Sequence, residues 1–379
     1  MMEGWKKDKL TNLISQITTG KLDANAMIPN GKYRFYTCAK DYYYIDNYAF
    51  DDEALLISGN GEYVGYIHYY KGKFNAYQRV YVLTGFKIDV RYLENFLNRY
   101  LPSRINKEVS QNNIPYIRLS TLSKMEINYP ESPTEQASIA NILSKVDEAI
   151  ESVKKSIEAA EKLKKSLMQN LLTGRMKPDG TLRTEEEFYE DEKFGKVPIG
   201  WEVGRFKKFS ILQRGSDLTD KEVVSGIYPV VKSNGISIYH NQYFVKPPGV
   251  VTGRSGTIGK AFYIEDNFWA HNTTLYVKDF KNNVPKYIFY LILSMNFERY
   301  YAGTTVPTLN RNDIHKLKVM IPKISEEQQK IVSILDAINK IIKDKKDKVY
   351  ALERLKKSLM QNLLTGKVRV GEEGKNEKE

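Results

Sequence analysis

Leu163-Lys-Lys-Ser-Leu-Met-Gln-Asn-Leu-Leu-Thr-Gly174 stands twice in this chain: the same twelve residues return, letter for letter, at Leu355 to Gly366. The offset is 192 (355 − 163). Carried backwards without a gap, it still sets like against like: Gln136 with Gln328, Ile139 with Ile331, Leu143 with Leu335, Ile150 with Ile342, Pro130 with Pro322. A solenoid repeats every few tens of residues. Here one larger unit of fold is used twice.

Both copies read as amphipathic helices. Apolar side chains fall at Leu143, Val146, Ile150, Val153, Ile157, Ala160, Leu167 and Leu171, and again at Leu335, Ile338, Ile342, Val349, Leu352, Leu359 and Leu363. That three-and-four spacing keeps one seam facing a partner helix; Lys164, Lys345 and Lys356 interrupt it. Ser132 or Thr134 is placed to cap the first helix and Ser325 the second, with Glu135, Glu326 and Glu327 near the positive ends. Gly174 and Gly366 supply the left-handed residue that commonly closes a helix. From 134 to 172, at about 1.5 Å per residue, the first helix is roughly 58 Å long, more than one domain needs to cover its core. Identical seams of equal length suit each other, and an antiparallel pair is expected.

Two bodies precede the two helices. One opens at Gly4-Trp5-Lys6, the other at Gly200-Trp201-Glu202. In the first, a short amphipathic segment, Leu10 to Ile17, leads to a turn at Gly20. Strand-like runs follow at Tyr33 to Cys38, Ala54 to Ile57, Tyr63 to Tyr70 and Gln78 to Leu83. Val90 to Tyr100 reads as a helix stopped by Pro102, and Ile114 to Tyr129 as a loop, a helical turn and a last strand. At an offset of 194 (254 − 60), Ile57-Ser-Gly-Asn-Gly61 answers Val251-Thr-Gly-Arg-Ser-Gly256, and Phe74-Asn-Ala-Tyr-Gln78 answers Phe268-Trp-Ala-His-Asn272. The duplication thus covers nearly the whole chain, with the helices alike and the bodies diverged. Arg175 to Pro198 is charged and suits a connector, and the tail after Gly366 is expected to be disordered.

Lys and Arg outnumber Asp and Glu by 58 to 46, giving +12 and a pI near 9.2, which favours a polyanionic partner. The 27 tyrosines supply flat surfaces for burial or for stacking on bases, and burial is the expected use for most. A single cysteine, Cys38, excludes an intrachain disulfide and a thiolate metal cluster, and fits a reducing cytoplasm. No apolar run reaches the length of a membrane span, and Met1 to Leu10 lacks a signal-peptide core. His68, His240, His271 and His315 never fall at the close spacing of a zinc enzyme.

The motifs point away from catalysis. Gly253-Arg-Ser-Gly-Thr-Ile-Gly259-Lys260-Ala261 has five residues between the outer glycines and no hydroxyl after the lysine, so it is no phosphate loop. Its strand-like flanks, Gly249 to Thr252 and Lys260 to Ile264, make it a hairpin. Gly59-Asn-Gly61 is followed by a strand, not a helix, and is no dinucleotide fingerprint. The Asn/Asp-Pro-Pro-aromatic pattern of amino-methyltransferases is missing, since Lys246-Pro-Pro-Gly249 lacks both ends. No Gly-x-Ser-x-Gly elbow occurs, and the acidic run Glu185 to Glu192 reads as a solvated connector. Thr304-Thr-Val-Pro-Thr-Leu-Asn310-Arg311 joins hydroxyls, an amide and an Arg, groups that either bind phosphates and base edges or cap a turn.

Taken together, the Gly-Trp openings, the Leu-Leu-Thr-Gly helix ends, Thr305-Val-Pro-Thr-Leu-Asn310 and Glu326-Glu-Gln-Gln329 resemble the DNA-specificity subunit of type I restriction-modification enzymes. The resemblance covers residues 4 to 366; it departs at Ile114-Pro-Tyr-Ile-Arg118, where the first body lacks the Thr/Pro/Asn pattern. It implies an α+β chain with a pseudo-twofold internal repeat: two mostly β target-recognition domains with small helices, separated by two long antiparallel coiled-coil helices. The expected boundaries are 1–132 and 200–323 for the domains, 133–174 and 324–366 for the helices, 175–199 for the linker and 367–379 for the tail. It further implies a non-catalytic, cytoplasmic subunit that reads a bipartite duplex sequence. Two methylation subunits would dock on the helices, and restriction subunits would join them. S-adenosylmethionine, ATP and magnesium would bind those partners, with no cofactor or metal on this chain.

Candidate DNA contacts are the polar residues on the loops. They are Asn60, Gln78 and Arg79 in the first body, and Lys232, Asn234, Arg254, Ser255, His271, Asn272, Thr305, Asn310 and Arg311 in the second. Arg suits a bidentate grip on guanine, and Asn or Gln on adenine. Leu167, Leu171, Leu359 and Leu363 are the candidates for partner docking. Two other readings stand beside this one: a split enzyme with its own chemistry, and a scaffold whose β bodies grip protein instead of DNA.

Overall fold

The computed structural model describes residues 3–108, 116–295, 297 and 308–370. The first body contains β1 (Trp5–Lys9), α1 (Leu10–Leu13), β2 (Ile14–Thr19), β3 (Tyr33–Tyr36), β4 (Tyr43–Ile45), β5 (Phe50–Ser58), β6 (Ile67–Ala76) and β7 (Val80–Phe86). They are followed by α2 (Val90–Glu108), α3 (Leu119–Ser123) and β8 (Glu126–Pro130). β1 and β8 pair antiparallel, setting Trp5 opposite Pro130. The remaining strands form one sheet in the order β2-β7-β5-β6-β3-β4. Leu55, Ile57 and Leu83 pack on one face with Tyr92, Phe96 and Leu97 of α2, while Ala54, Leu56 and Val82 pack on the other with Tyr36 and Phe74. Burial on both faces is why Ala54 to Ile57 is apolar without a break.

After α4 (Pro133–Leu172) the second body follows the same plan, in β9 (Phe188–Asp191), β10 (Gly195–Pro198), β11 (Trp201–Arg205), α5 (Phe206–Phe209), β12 (Ile211–Arg214), β13 (Tyr228–Lys232) and β14 (Gly235–His240). It continues through β15 (Gly249–Gly253), β16 (Ala261–Ile264), β17 (Trp269–Ala270), β18 (Thr274–Asp279), α6 (Pro285–Ser294), α7 (Arg311–Lys316) and β19 (Lys318–Pro322) to the last helix, α8 (Ser325–Leu363). β11 pairs with β19 as β1 does with β8, Trp201 facing Pro322. Its sheets run β12-β18-β15-β16 and β14-β13-β17. The ten-residue β6 of the first body is here broken into β16 and β17 by Glu265-Asp-Asn-Phe268, so one sheet becomes two.

Compact packing divides the chain into a unit of Met1–Lys154 with Asp347–Glu379 and a unit of Lys155–Lys346, so the division runs through both long helices. Within the first unit, Ile139 and Leu143 of α4 share a core with Met360 and Leu363 of α8. There Asp147 meets Lys356 at 2.7 Å and Lys154 meets Glu353 at 3.4 Å, so one helix ascends as the other descends. Within the second unit Ala160 packs on Ile338 and Ile342, and Glu161 meets Lys346 at 2.8 Å in the same antiparallel sense. Exposed ion pairs contribute about 0–1 kcal/mol. A fully buried Leu or Ile contributes about 1.5–3 kcal/mol, so the apolar seam decides the pairing.

Each helix is tied to its body by a buried glutamine. Gln136 accepts from the Asp89 N–H at 2.8 Å and donates to the Pro130 carbonyl at 2.8 Å. Gln328 accepts from the Val284 N–H at 2.9 Å and donates to the Pro322 carbonyl at 2.9 Å. Beside them Glu135 takes two hydrogen bonds from Arg369, and Glu327 takes one from Arg183 and one from the Trp201 indole.

Several sequence expectations change. Pro102 lies inside α2 and does not stop it, because Leu101 before it and Ile105 beyond it are buried and their packing outweighs the lost hydrogen bond. Leu10 to Ile17 divides into α1 and the start of β2, and Tyr63 to Gly65 is a turn before β6. The connector contains the β9–β10 hairpin. Ser325 is the first helical residue of α8, with the Ile324 carbonyl accepting from Glu327 and Gln328; Ser132 does cap α4, by a long bond of 3.4 Å to Glu135. Gly174 and Gly366 close their helices at φ of 67° and 71°. The start of the tail is held down: Arg369 bonds Glu135 and the Glu3 carbonyl, while residues 371–379 lie outside the described residues.

Gln328→Leu strands a buried N–H and carbonyl, so its unfolding free energy in urea should fall by about 2–4 kcal/mol, with a similar fall for Gln136→Leu. A loss under about 0.5 kcal/mol in both would show that the glutamines do not anchor the helices.

Candidate nucleic-acid interface

In the second body four chain segments meet around Thr273. Its carbonyl accepts from the Arg254 and Ser255 N–H groups at 2.8 and 3.1 Å. Its hydroxyl lies 3.0 Å from Nδ1 of His271 and 3.4 Å from the Ser233 N–H. Ser255 bridges Thr308, and the Arg254 carbonyl accepts from Leu309, which leads into α7. The β13–β14 turn with Lys232 and Asn234, the β15–β16 hairpin with Arg254 and Ser255, the β17–β18 turn with His271 and Asn272, and the entry to α7 with Asn310 and Arg311 therefore form one surface. Thr305 lies outside the described residues.

That surface gathers cations, with Asp217 and Asp220 opposing them at His271. Partial burial, then the neighbouring charge of Arg214, holds the Arg254 guanidinium below its ordinary pKa, and one of its nitrogens donates to the Asn272 carbonyl at 3.3 Å. Burial, then Lys232, lowers the His271 pKa. A cation held down by a neighbouring cation is relieved by an anion. Asn310 caps α7 by accepting from the Asn312 N–H at 2.9 Å, so its side-chain oxygen is committed to the turn while Arg311 remains exposed.

The first body repeats this construction residue by residue. Asn60 bridges Tyr116, the Gly59 carbonyl accepts from Ile117 at 2.7 Å, and the Arg79 carbonyl accepts from the Gly59 N–H at 2.8 Å. Gly59 thereby occupies the place of Arg254, which the 194 offset had given to Asn60; Asn60 occupies that of Ser255, Gln78 that of Asn272, and Arg118 that of Asn310. Gln78 and Arg79 are exposed, and Asn60 is half-buried. Lys40 lies over the Tyr63 ring at 5.1 Å, and Arg34 sits between the rings of Tyr42 and Tyr70 at 4.2 and 4.5 Å.

Sequence reasoning missed Arg118, whose guanidinium bonds the Tyr116 hydroxyl at 2.7 and 3.1 Å, although the 192 offset sets it opposite Asn310. It also missed Asp23 and Asp217, which bond the amides of Gln78 and Asn272, and the exposed Tyr42, Tyr43, Tyr44 and Tyr48 on and beside β4. Of the docking candidates, Leu171 and Leu363 are buried in their own cores, and Leu167 and Leu359 pack against them. The large apolar side chains that the long helices expose are Leu163, Ile341, Tyr350 and Leu355.

A family model for the type I restriction modification DNA specificity domain matches residues 2–162 and 198–352, once for each half. The chain belongs to that family. The type I restriction enzyme EcoDI specificity subunit of Escherichia coli is 38% identical over 172 residues, 45% of this chain and 38% of that relative. The putative MjaX specificity subunit of Methanocaldococcus jannaschii is 27% identical over 302 residues, 75% of this chain and 69% of that one. The fold of this specificity-domain chain matches the type I restriction-modification S subunit from M. genitalium with a TM-score of 0.65 at 17% identity, covering 95% of this chain and 96% of that one. A second solved chain, from work on complex assembly and conformational transition of the type I R-M system, gives 0.55 at 13% identity, covering 97% and 99%. Its relatives are specificity subunits rather than catalytic ones. No helix of its described residues is long and apolar enough to cross a membrane.

Nε2 of His315 accepts from the Leu212 N–H at 2.9 Å, and burial, then Lys207 and Arg311, lowers its pKa. A histidine whose folded pKa lies below its unfolded value of about 6.5 stabilises fully above that pH. The contribution is lost as pH falls toward the folded value. His315→Gln should therefore reduce the drop in urea stability between pH 7.5 and 5.5; an identical drop in both proteins would contradict the assignment.

Proposed function

We propose that this chain is the sequence-reading, non-catalytic subunit of a type I restriction-modification complex, each body reading one half of a bipartite duplex sequence. The gathering of the loops of Lys232, Arg254 and His271 around Thr273, with the Arg254 guanidinium held down by burial and by Arg214, carries the reading: a folded protein that gathers cations on loop tips gains free energy when a phosphate or a base edge takes the place of water there. The first body offers a different set, Asn60, Gln78, Arg79 and Arg118, on the same frame. Two unlike sets on one frame suit two unlike half-sites. Both long helices pass through both compact units, which suits them to fix the spacing of unread base pairs.

Two methylation subunits dock on the helices in this reading, meeting the exposed Leu163 and Leu355, which are equivalent in the repeat, with Ile341 and Tyr350. Restriction subunits join through them. S-adenosylmethionine, ATP and magnesium belong to those partners, and the complex works in the cytoplasm.

In gel shifts with duplexes carrying single base changes, Arg254→Ala should loosen preference in one half-site by about 1–3 kcal/mol, and Asn60→Ala in the other. Unchanged preference at every base pair would overturn the residue assignments. Absence of salt-sensitive duplex binding, even beside the accompanying subunits, would point to a protein scaffold instead.

A further inference from the structure

Two amide–carboxylate pairs survive the divergence of the two bodies. Gln78 Nε2 donates to Asp23 Oδ1 at 2.7 Å, and Asn272 Nδ2 donates to Asp217 Oδ1 at 2.7 Å. Both members of the pair are displaced by the same 194 positions. The backbone beneath is duplicated as well: Leu22 forms a parallel bridge to Tyr77, and Ser216 to His271. Each aspartate follows a glycine over which the neighbouring strand passes closely. A Cβ on Gly20 would lie 1.9 Å from the Ala76 carbonyl oxygen, and one on Gly215 would lie 2.2 Å from that of His271. The residues next to the aspartates have changed, Ala24-Asn-Ala26 against Leu218-Thr-Asp220. Around them Asn60 has become Ser255 and Arg79 has become Thr273.

An exposed carboxylate on a surface that meets a polyanion costs affinity, so its retention in both bodies calls for another role. An ionised carboxylate only accepts hydrogen bonds. An amide beside it is held with its NH2 toward the carboxylate, because the opposite flip would set oxygen against oxygen. Recognition of adenine by an amide depends on that flip, since the amide oxygen must meet the N6 amino group and an amide N–H must meet N7. A freely flipping amide discriminates poorly.

We propose that Asp23 and Asp217 are positioning residues that lock the amides of Gln78 and Asn272 in one orientation, so that each body reads an adenine in its half-site. This rests on the duplex-reading function proposed above. The aspartates touch no base; they act through the amide. The longer Gln and shorter Asn give the two bodies different reach from equivalent positions, so the adenines stand at different places in the two half-sites.

The test is selection from a random-sequence duplex pool by the full-length chain with its accompanying subunits, followed by sequencing. The wild type should return two short blocks around an unread gap. Asp217→Asn should raise tolerance at one A·T pair of one block by about tenfold. Asp23→Asn should do so in the other block, with overall duplex affinity held or increased because a like charge is gone. Asn272→Ala should degrade the same base pair as Asp217→Asn. Unchanged blocks in both aspartate variants would overturn the proposal while leaving the duplex-reading function intact, as would degradation of a different base pair by Asn272→Ala. A uniform loss of affinity with a lower melting temperature would make the aspartates pegs for their loops and also overturn it. If the wild type returns no sequence preference, the function falls and this inference with it.

Discussion

Everything in this fold depends on how a long helix is held at its first turn. A helix of 40 residues carries leverage, and a small error at its base would be multiplied along its length. Gln136 and Gln328 prevent that by satisfying a body N–H and a body carbonyl at once, in a dry place where neither group has water to fall back on. Glu135 and Glu327 add charged hydrogen bonds from arginines that follow the C-terminus of the opposite helix. Each body therefore fixes the beginning of one helix and the end of the other, and the duplicated chain forms two closed units.

That economy explains the distribution of sequence identity. A helix end must match a seam and a body core at the same time: Leu171 and Leu363 are buried, and Leu167 and Leu359 pack beside them. Few residues satisfy both, so the twelve-residue stretch stays identical. Loop tips answer only to whatever they bind, and Asn60 and Ser255 can differ while the bridges they form, to Tyr116 and to Thr308, do not.

The helices, the antiparallel seam, the duplicated bodies and the hairpin at Arg254 were legible because period and glycine position are local signals. Pro102 was misread because its cost is local while the burial of Leu101 and Ile105 that overrides it is tertiary. The hairpin in the connector was hidden under its charge. At the interface, loops carrying Arg254, His271 and Asn272 were found by composition. Asp23 and Asp217 were not, since an isolated aspartate in a turn carries no pattern until the fold brings its amide within 2.7 Å. Arg118 was within reach of the 192 offset, but the first body's departure from the family pattern there concealed it.

The central claim is that bodies supply sequence and helices supply spacing. Inserting one heptad into both long helices, after Lys154 in one and after Lys346 in the other, separates these roles, because the seam register is preserved and neither interface is touched. Sequencing the duplexes bound by this lengthened chain tests the claim most directly. The account predicts the same two half-sites around a longer unread gap; altered half-sites, or an unchanged gap, would contradict it.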